Sequence, residues 1–319
     1  TWSVATDLNT AVSVRTGLQN ALGNNAKLLY AKGSNLMHDS AYEVRATMFG
    51  RSLNRDSRTA SQLLNEALAV AAQADVIVAA LGEASEMSGE SSSRSDIGIP
   101  DAQKELLAAL LSTGKPVVLL LFAGRPMTIK WESEQVPAIL NVWFGGSEAG
   151  NAIADVLFGD VNPSGKLTTT FPQHVGQVPI YYAQKNTGRP LGAGKWFEKF
   201  RSNYMDVSND PLYTFGYGLS YTSFRYSDIS LNSKTLKGNQ QLTATVSITN
   251  TGKTTGKEVV QLYIRDLVGS ITRPVKELKG FKKITLNAGE TKTVSFPITT
   301  ELLKFYNGNL KYDWEPGDF

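Results

Sequence analysis

Apolar positions along the chain recur with two different periods, and the change of period divides it. Up to about residue 222, helix-like and strand-like stretches alternate. Ala11 to Leu22 carries apolar residues at helical spacing and stops at Gly23. Ala60 to Ala74 sets Leu63, Leu64, Ala67, Leu68 and Ala71 on one helical face. Gln103 to Leu111 and Glu148 to Phe158 predict two further helices. Between them lie short apolar runs of strand length: Lys27 to Ala31, Val76 to Leu81, Pro116 to Phe122, Ala138 to Phe144 and Lys166 to Phe171. Runs apolar on both faces, alternating with helices, predict an α/β fold with a mostly parallel sheet flanked by helices.

From 172 to 222 the periodicity vanishes, leaving an aromatic- and Gly-rich stretch with Tyr181, Tyr182, Trp196, Phe197, Phe200 and Tyr204. A segment of this length without regular structure is expected to be functional or to connect domains. Here it is expected to wrap the first domain. Beyond 222 the period becomes two. Gln241 to Thr249, Glu258 to Ile264 and Thr291 to Phe296 alternate, with turns at Asn250-Thr-Gly252 and Asn287-Ala-Gly289. That pattern predicts an all-β, fibronectin III-like antiparallel sandwich. The expected domains are therefore 1–171 (α/β sandwich), 172–222 (wrapping linker) and 223–319 (fibronectin III-like). Both outer domains look open-ended, the first without an initial strand and the second without a final one.

Composition narrows the chemistry. Of 319 residues, 41% are hydrophobic and 19% charged, and 32 basic residues nearly balance 29 acidic ones, leaving +3. No dense Lys/Arg run signals nucleic acid. The absence of Cys removes disulfides, thiol nucleophiles and thiolate metal sites. No stretch reaches the ~18 apolar residues of a membrane helix. The opening TWSVATDLNT lacks the basic end and apolar middle of a signal peptide. No cluster has metal-ligand spacing, and no cofactor is implied.

One stretch stands out. Glu83 to Pro100, EASEMSGESSSRSDIGIP, follows the buried strand candidate Val76 to Leu81. It therefore sits at a strand's carboxyl end, where open α/β sheets place their ligands. The residues alone leave four acids open, Glu83, Glu86, Glu90 and Asp96, any of which could be an ordinary solvated loop acid. Ser88, Ser91, Ser92 and Ser93 could hydrogen-bond a ligand, although Ser-rich loops are common. A serine nucleophile would need a His base, and His38 and His174 stand near no elbow motif. Gly145-Gly-Ser-Glu-Ala-Gly150 lacks a complete phosphate-binding fingerprint and is read as close strand–helix packing. Trp143 is expected in the core, Trp196 and Phe197 at a surface.

Several runs, in order, resemble the C-terminal half of glycoside hydrolase family 3. They are Ala74-Asp-Val-Ile-Val78 before Gly82-Glu83, Gly89-Glu-Ser-Ser-Ser-Arg94 with Ile99-Pro100, Gly114-Lys-Pro-Val-Val118, Gly124-Arg-Pro126 and Trp143-Phe-Gly-Gly-Ser-Glu-Ala-Gly150. Asn151-Ala-Ile-Ala-Asp-Val-Leu-Phe-Gly-Asp160, with Asn162-Pro-Ser-Gly-Lys-Leu167, is the most specific. Phe215-Gly-Tyr-Gly-Leu-Ser-Tyr221 and Arg273-Pro-Val-Lys-Glu-Leu-Lys-Gly-Phe281 complete the set.

The likeness is strongest to the bacterial periplasmic β-glucosidases and spans essentially the whole chain. It implies a retaining β-glucosidase acting on terminal non-reducing β-glucosyl residues, with β-xylosidase or a non-catalytic carbohydrate-binding module as alternatives. It implies Glu90 as the general acid/base, with Ser91 and Arg94 near the sugar; for Arg94 a salt bridge that fixes the loop is the competing role. Where the family commonly has Gly after the Glu, this chain has Ser91. The resemblance further implies an N-terminal (β/α)₈ barrel carrying the nucleophilic Asp, which this chain does not contain, and a periplasmic or secreted setting. It leaves room for a homodimer.

Overall fold

Helix α1 (Val14–Leu22) begins where Ser13 Oγ accepts the Thr16 N–H at 3.1 Å, and ends at Gly23, whose φ of 53° no β-carbon-bearing residue adopts readily. The structure, a computed structural model, describes residues 7–47, 54–192 and 194–319. Helix α2 (Ser40–Arg45) is capped by Asp39, which accepts from the N–H groups of Ala41 and Tyr42. Thr59 and Gln62 form a reciprocal capping box that starts α3 (Ala60–Ala71), whose Leu63, Ala67 and Ala71 are buried as the apolar spacing predicts.

Three strands form a parallel sheet in the order β1 (Ile77–Gly82), β2 (Val117–Phe122), β3 (Ala138–Asn141). Helix α4 (Asp101–Leu111) crosses from β1 to β2 and α5 (Lys130–Gln135) from β2 to β3; α6 (Ala149–Phe158) follows. The central β2 is the most deeply buried, with Leu119, Leu120 and Leu121 all at 0% exposure, as a run apolar on both faces requires. Helices α1 and α6 meet backbone to backbone. A β-carbon on Gly17 would lie 2.1 Å from the Gly150 carbonyl oxygen, and one on Gly150 2.1 Å from that of Ser13. The Gly150 N–H donates to Val12 and the Val12 N–H to Ser147. Gly150 thus serves close packing of helix on helix, where strand–helix packing was expected of the Gly145–Gly150 run.

Residues up to Val161, with Pro172–Val178, pack as one unit; Asn162–Phe171, with Pro179–Phe319, pack as the other. In the second, β6 (Leu242–Asn250) is flanked by β4 (Phe224–Tyr226) and β5 (Ser230–Leu231) on one edge and by β9 (Thr291–Ile298) on the other, all antiparallel. β7 (Gly256–Ile264) pairs with β8 (Glu277–Leu286), and β10 (Phe305–Tyr306) with β11 (Tyr312–Asp313). Alternate residues Ala244, Ile248, Val260, Leu262, Leu286, Val294 and Phe296 fill the space between the sheets. Asn250, fully buried, organises the turn after β6: its amide donates to Thr254 and Leu286, and its oxygen accepts from Thr222 and Gly252.

Two expected strands do not form. Residues 27–31 have no ladder partner among the described residues, and an extended segment becomes a strand only when a neighbour supplies its hydrogen bonds. Residues 166–171 instead bond at separated points to 212–217, with a single bridge between Phe171 and Tyr213. Among the described residues no helix is long and apolar enough to cross a membrane.

Candidate active site

The parallel register of β1 and β2 sets up the site. Gly82 pairs with Phe122, so the chain leaves both strands side by side, and the Glu83 N–H donates to the Phe122 carbonyl at 2.8 Å. A β-carbon on Gly82 would lie 1.8 Å from that same oxygen, so glycine is required at this exit. The Gln103 amide, on α4, accepts from the Gly82 N–H and donates to the Gly82 carbonyl, fixing the strand end.

Glu83 opens the loop, with its side chain only 1% exposed. Its carboxylate receives Arg94 Nη1 at 2.7 Å and Arg125 Nε at 3.1 Å. Arg94 closes over the far side of the loop, where Nη2 donates to the Gly98 carbonyl at 3.1 Å and Nε to the Tyr42 hydroxyl at 3.3 Å. Arg125 comes from the turn after β2, and its Nη2 donates to the carbonyls of both Met87 and Ser92. Two guanidiniums and one carboxylate, largely withdrawn from water, therefore tie the strand exit, the loop and the neighbouring turn together. Apolar anchors complete the hold. Met87 packs with Met37 and Ala46, and Ile97 and Ile99 are buried.

Between these anchors the loop rises into solvent. Gly89, Glu90 and Ser91 are exposed; Gly89 has φ 124° and Ser91 φ 60°. The left-handed Ser91 occupies the position where the family commonly places Gly, so the departure seen in the sequence is also a departure from backbone preference. The Glu90 carboxylate makes no hydrogen bond or ion pair among the described residues; its carbonyl accepts from Ser92 Oγ at 3.3 Å.

The sequence-predicted residues thus separate into two groups. Glu90 and Ser91 stand together on the crest. Arg94, offered as a sugar contact, has a side chain only 8% exposed and paired with Glu83, so the structure gives it the loop-fixing contacts that formed its other reading. Asp96 accepts from the Gly98 N–H in a local turn, and Glu86 is also partnered. The Ser88 hydroxyl is buried without a hydrogen-bond partner where a β-carbon on Gly124 would fall, so it does not face outward with the other serines. Trp143, at the carboxyl end of β3, has φ 47°. Arg125 was not singled out as a site residue from the sequence. Its available signal was position: Gly124-Arg-Pro126 follows β2 as Glu83 follows β1. Among the described residues, no group of His, Asp or Glu is arranged to hold a metal ion.

The chain belongs to glycoside hydrolase family 3: the sequence profile of the glycosyl hydrolase family 3 C-terminal domain matches residues 1–221, and that of a fibronectin type III-like domain matches 258–319. It is 52% identical over 318 residues to a periplasmic beta-glucosidase of Salmonella typhimurium, covering 100% of this chain and 41% of the relative. It is 42% identical to a beta-xylosidase of Formosa agariphila, covering 97% of this chain and 39% of that protein. The crystal structure of a Listeria innocua beta-glucosidase in complex with glucose superposes with a TM-score of 0.84 at 39% identity, over 99% of this chain and 40% of that one. The chain therefore spans about two fifths of the length of these relatives.

Proposed function

We propose that this chain supplies the general acid/base of a retaining β-glucosidase, and that Glu90 is that group. The observation that carries the reading is the contrast among the loop acids. Glu90 is the exposed one without a partner, on a loop rigidly footed at the carboxyl ends of parallel strands. A retaining mechanism needs two carboxyl groups roughly 5–5.5 Å apart. One attacks the anomeric carbon; the other protonates the departing glycosidic oxygen and then takes a proton from water.

In this reading the attacking carboxylate is an Asp of the barrel implied by the family resemblance, outside this chain. Glu90 is then the group that delivers the proton to the departing oxygen. Ser91, beside it on the crest, is the better placed of the two candidate sugar contacts; Arg94 acts by holding the loop. The substrate is a terminal β-glucoside. The periplasmic setting of the Salmonella relative supports a periplasmic or secreted location, and the Formosa relative keeps β-xylosides as the second substrate class.

The test is leaving-group dependence in the full-length gene product. Replacing a general acid costs about 10²–10⁴-fold when the leaving group needs the proton. Glu90→Ala should therefore cripple hydrolysis of an alkyl β-glucoside while sparing release of dinitrophenol from its β-glucoside, with azide restoring turnover of the latter. Equal, modest losses on both substrates would assign the proton to another residue and leave a binding or scaffolding module as the better reading. The 319-residue chain alone should hydrolyse aryl β-glucosides negligibly; robust turnover by it would refute the division of carboxylates between two parts.

A further inference from the structure

We propose that Arg125 is the positioning residue for Glu90, a role that rests on Glu90 being the proton donor. Nothing holds the Glu90 side chain itself: among the described residues its carboxylate touches no donor. Its location is therefore set entirely through the backbone, and that backbone is not self-supporting. Gly89, at φ 124°, turns the chain before Glu90, and Ser91 after it is held at φ 60°, a left-handed conformation that a residue with a β-carbon keeps where its surroundings impose it.

The imposing group is one guanidinium. Arg125 Nη2 donates to the carbonyls of Met87 and Ser92, three residues before Glu90 and two after it, so both feet of the crest are drawn to one point. The guanidinium is oriented in turn by Glu83, which meets Arg125 Nε at 3.1 Å from the adjacent strand. Gly124, just before it, lets the loop lie directly on the turn: a β-carbon there would fall 1.9 Å from Ser88 Oγ and 2.7 Å from the Phe144 ring. A planar fork with several fixed donors can serve a carboxylate and two carbonyls together; a lysine ammonium at the same place cannot span them. Displacement of a reacting group by about 1 Å can cost ~10²-fold in rate, which gives this tether kinetic weight.

The experiment compares Arg125→Met, Arg125→Lys, Glu90→Ala and the Glu90→Ala/Arg125→Met double variant in the full-length gene product. Both an alkyl and a dinitrophenyl β-glucoside are assayed. Arg125→Met should lower kcat/KM about 10²-fold on the alkyl glucoside, the scale of a misplaced reacting group, and far less on the dinitrophenyl glucoside. The double variant should be no slower than Glu90→Ala, because both changes remove the same proton transfer. Should Arg125→Met fail to fold, Arg125→Lys carries the test, with the same split at smaller amplitude. Equal losses on both substrates, or a double variant slower by the product of the two single effects, would make Arg125 merely structural and overturn the proposal. If Glu90→Ala shows the split and the Arg125 variants do not, the positioning role falls alone. If Glu90→Ala shows no split, the assignment of Glu90 falls and takes this one with it.

Discussion

Two carboxylates seven residues apart, Glu83 at the foot of the loop and Glu90 at its crest, differ in every physical respect. Glu83 is withdrawn from water and bound by two arginines; Glu90 is exposed and unattached. The Glu83 oxygens are turned inward against Arg94 and Arg125 and are not presented to a substrate. The exposed carboxylate can give and take a proton but has no rigidity of its own. On the proposed reading, one short loop divides the work: the foot supplies the order and the crest the chemistry. Glu132, on α5, shows what the foot would be without its arginines. It is equally buried, neither oxygen has a hydrogen-bond partner, and the nearest cation, Lys104, stands 3.8 Å away.

The sharpest way to break the contrast is to exchange consequences. Glu90→Ala should abolish proton donation with little effect on folding, giving the leaving-group split described above at about 10²–10⁴-fold. Glu83→Gln should do the reverse and cost about 3 kcal/mol of stability, because it strands buried guanidinium charge. A shift in the urea unfolding free energy below about 1 kcal/mol would show that the foot behaves like a surface ion pair.

Glu132 sharpens the same comparison through pH. Burial raises its carboxyl above the ordinary value of 4.5, against smaller lowerings by its own backbone N–H and then by Lys104. Just above that ordinary value the folded chain holds a proton that the unfolded chain has released. Stability therefore falls as pH climbs from about 4.5 through the raised folded-state value, then levels off. Glu132→Gln should accordingly raise Tm at neutral pH and leave it nearly unchanged in more acidic buffer. An equal gain at both pH values would mean that charge burial is not the cause.

The smallest effect belongs to the crest backbone. Ser91→Val should destabilise relative to Ser91→Gly by about 1–2 kcal/mol, the scale of the left-handed penalty for a residue with a β-carbon. Identical midpoints for the two variants would show that the crest relaxes freely and that its conformation is not imposed.

How much of this was visible in the sequence depends on how local the cause is. Helices α1 and α3, strands β1 and β2 and the alternating strands β6, β7 and β9 followed from periodicity, because burial of one face or both writes itself into the residue order. Helix α5 did not: six residues, KWESEQ, are too short for a period to appear. Strand β8 hid because Phe281 is exposed, Lys282 and Lys283 follow it, and the register shifts opposite Leu262 and Tyr263. At the site, the loop was legible as a polar insert after a buried run. The pairing that holds it was not, since Arg125 lies 42 residues from Glu83 and the two meet only through the parallel register of β1 with β2. Composition likewise could not separate four loop acids; burial and pairing do.

The contact of Gly17 with Gly150 carries a last consequence, for anyone cutting the gene. Helix α1 lies at the very start of the described chain, where a boundary drawn by eye would discard it as a disposable leader. Yet α6 is shaped to receive it, since no β-carbon fits at Gly17 or Gly150 while the two helices are together. An expression boundary set after Gly23 would bare the face of α6 that α1 covers, and should lower the yield of soluble protein relative to a boundary set before Ala11.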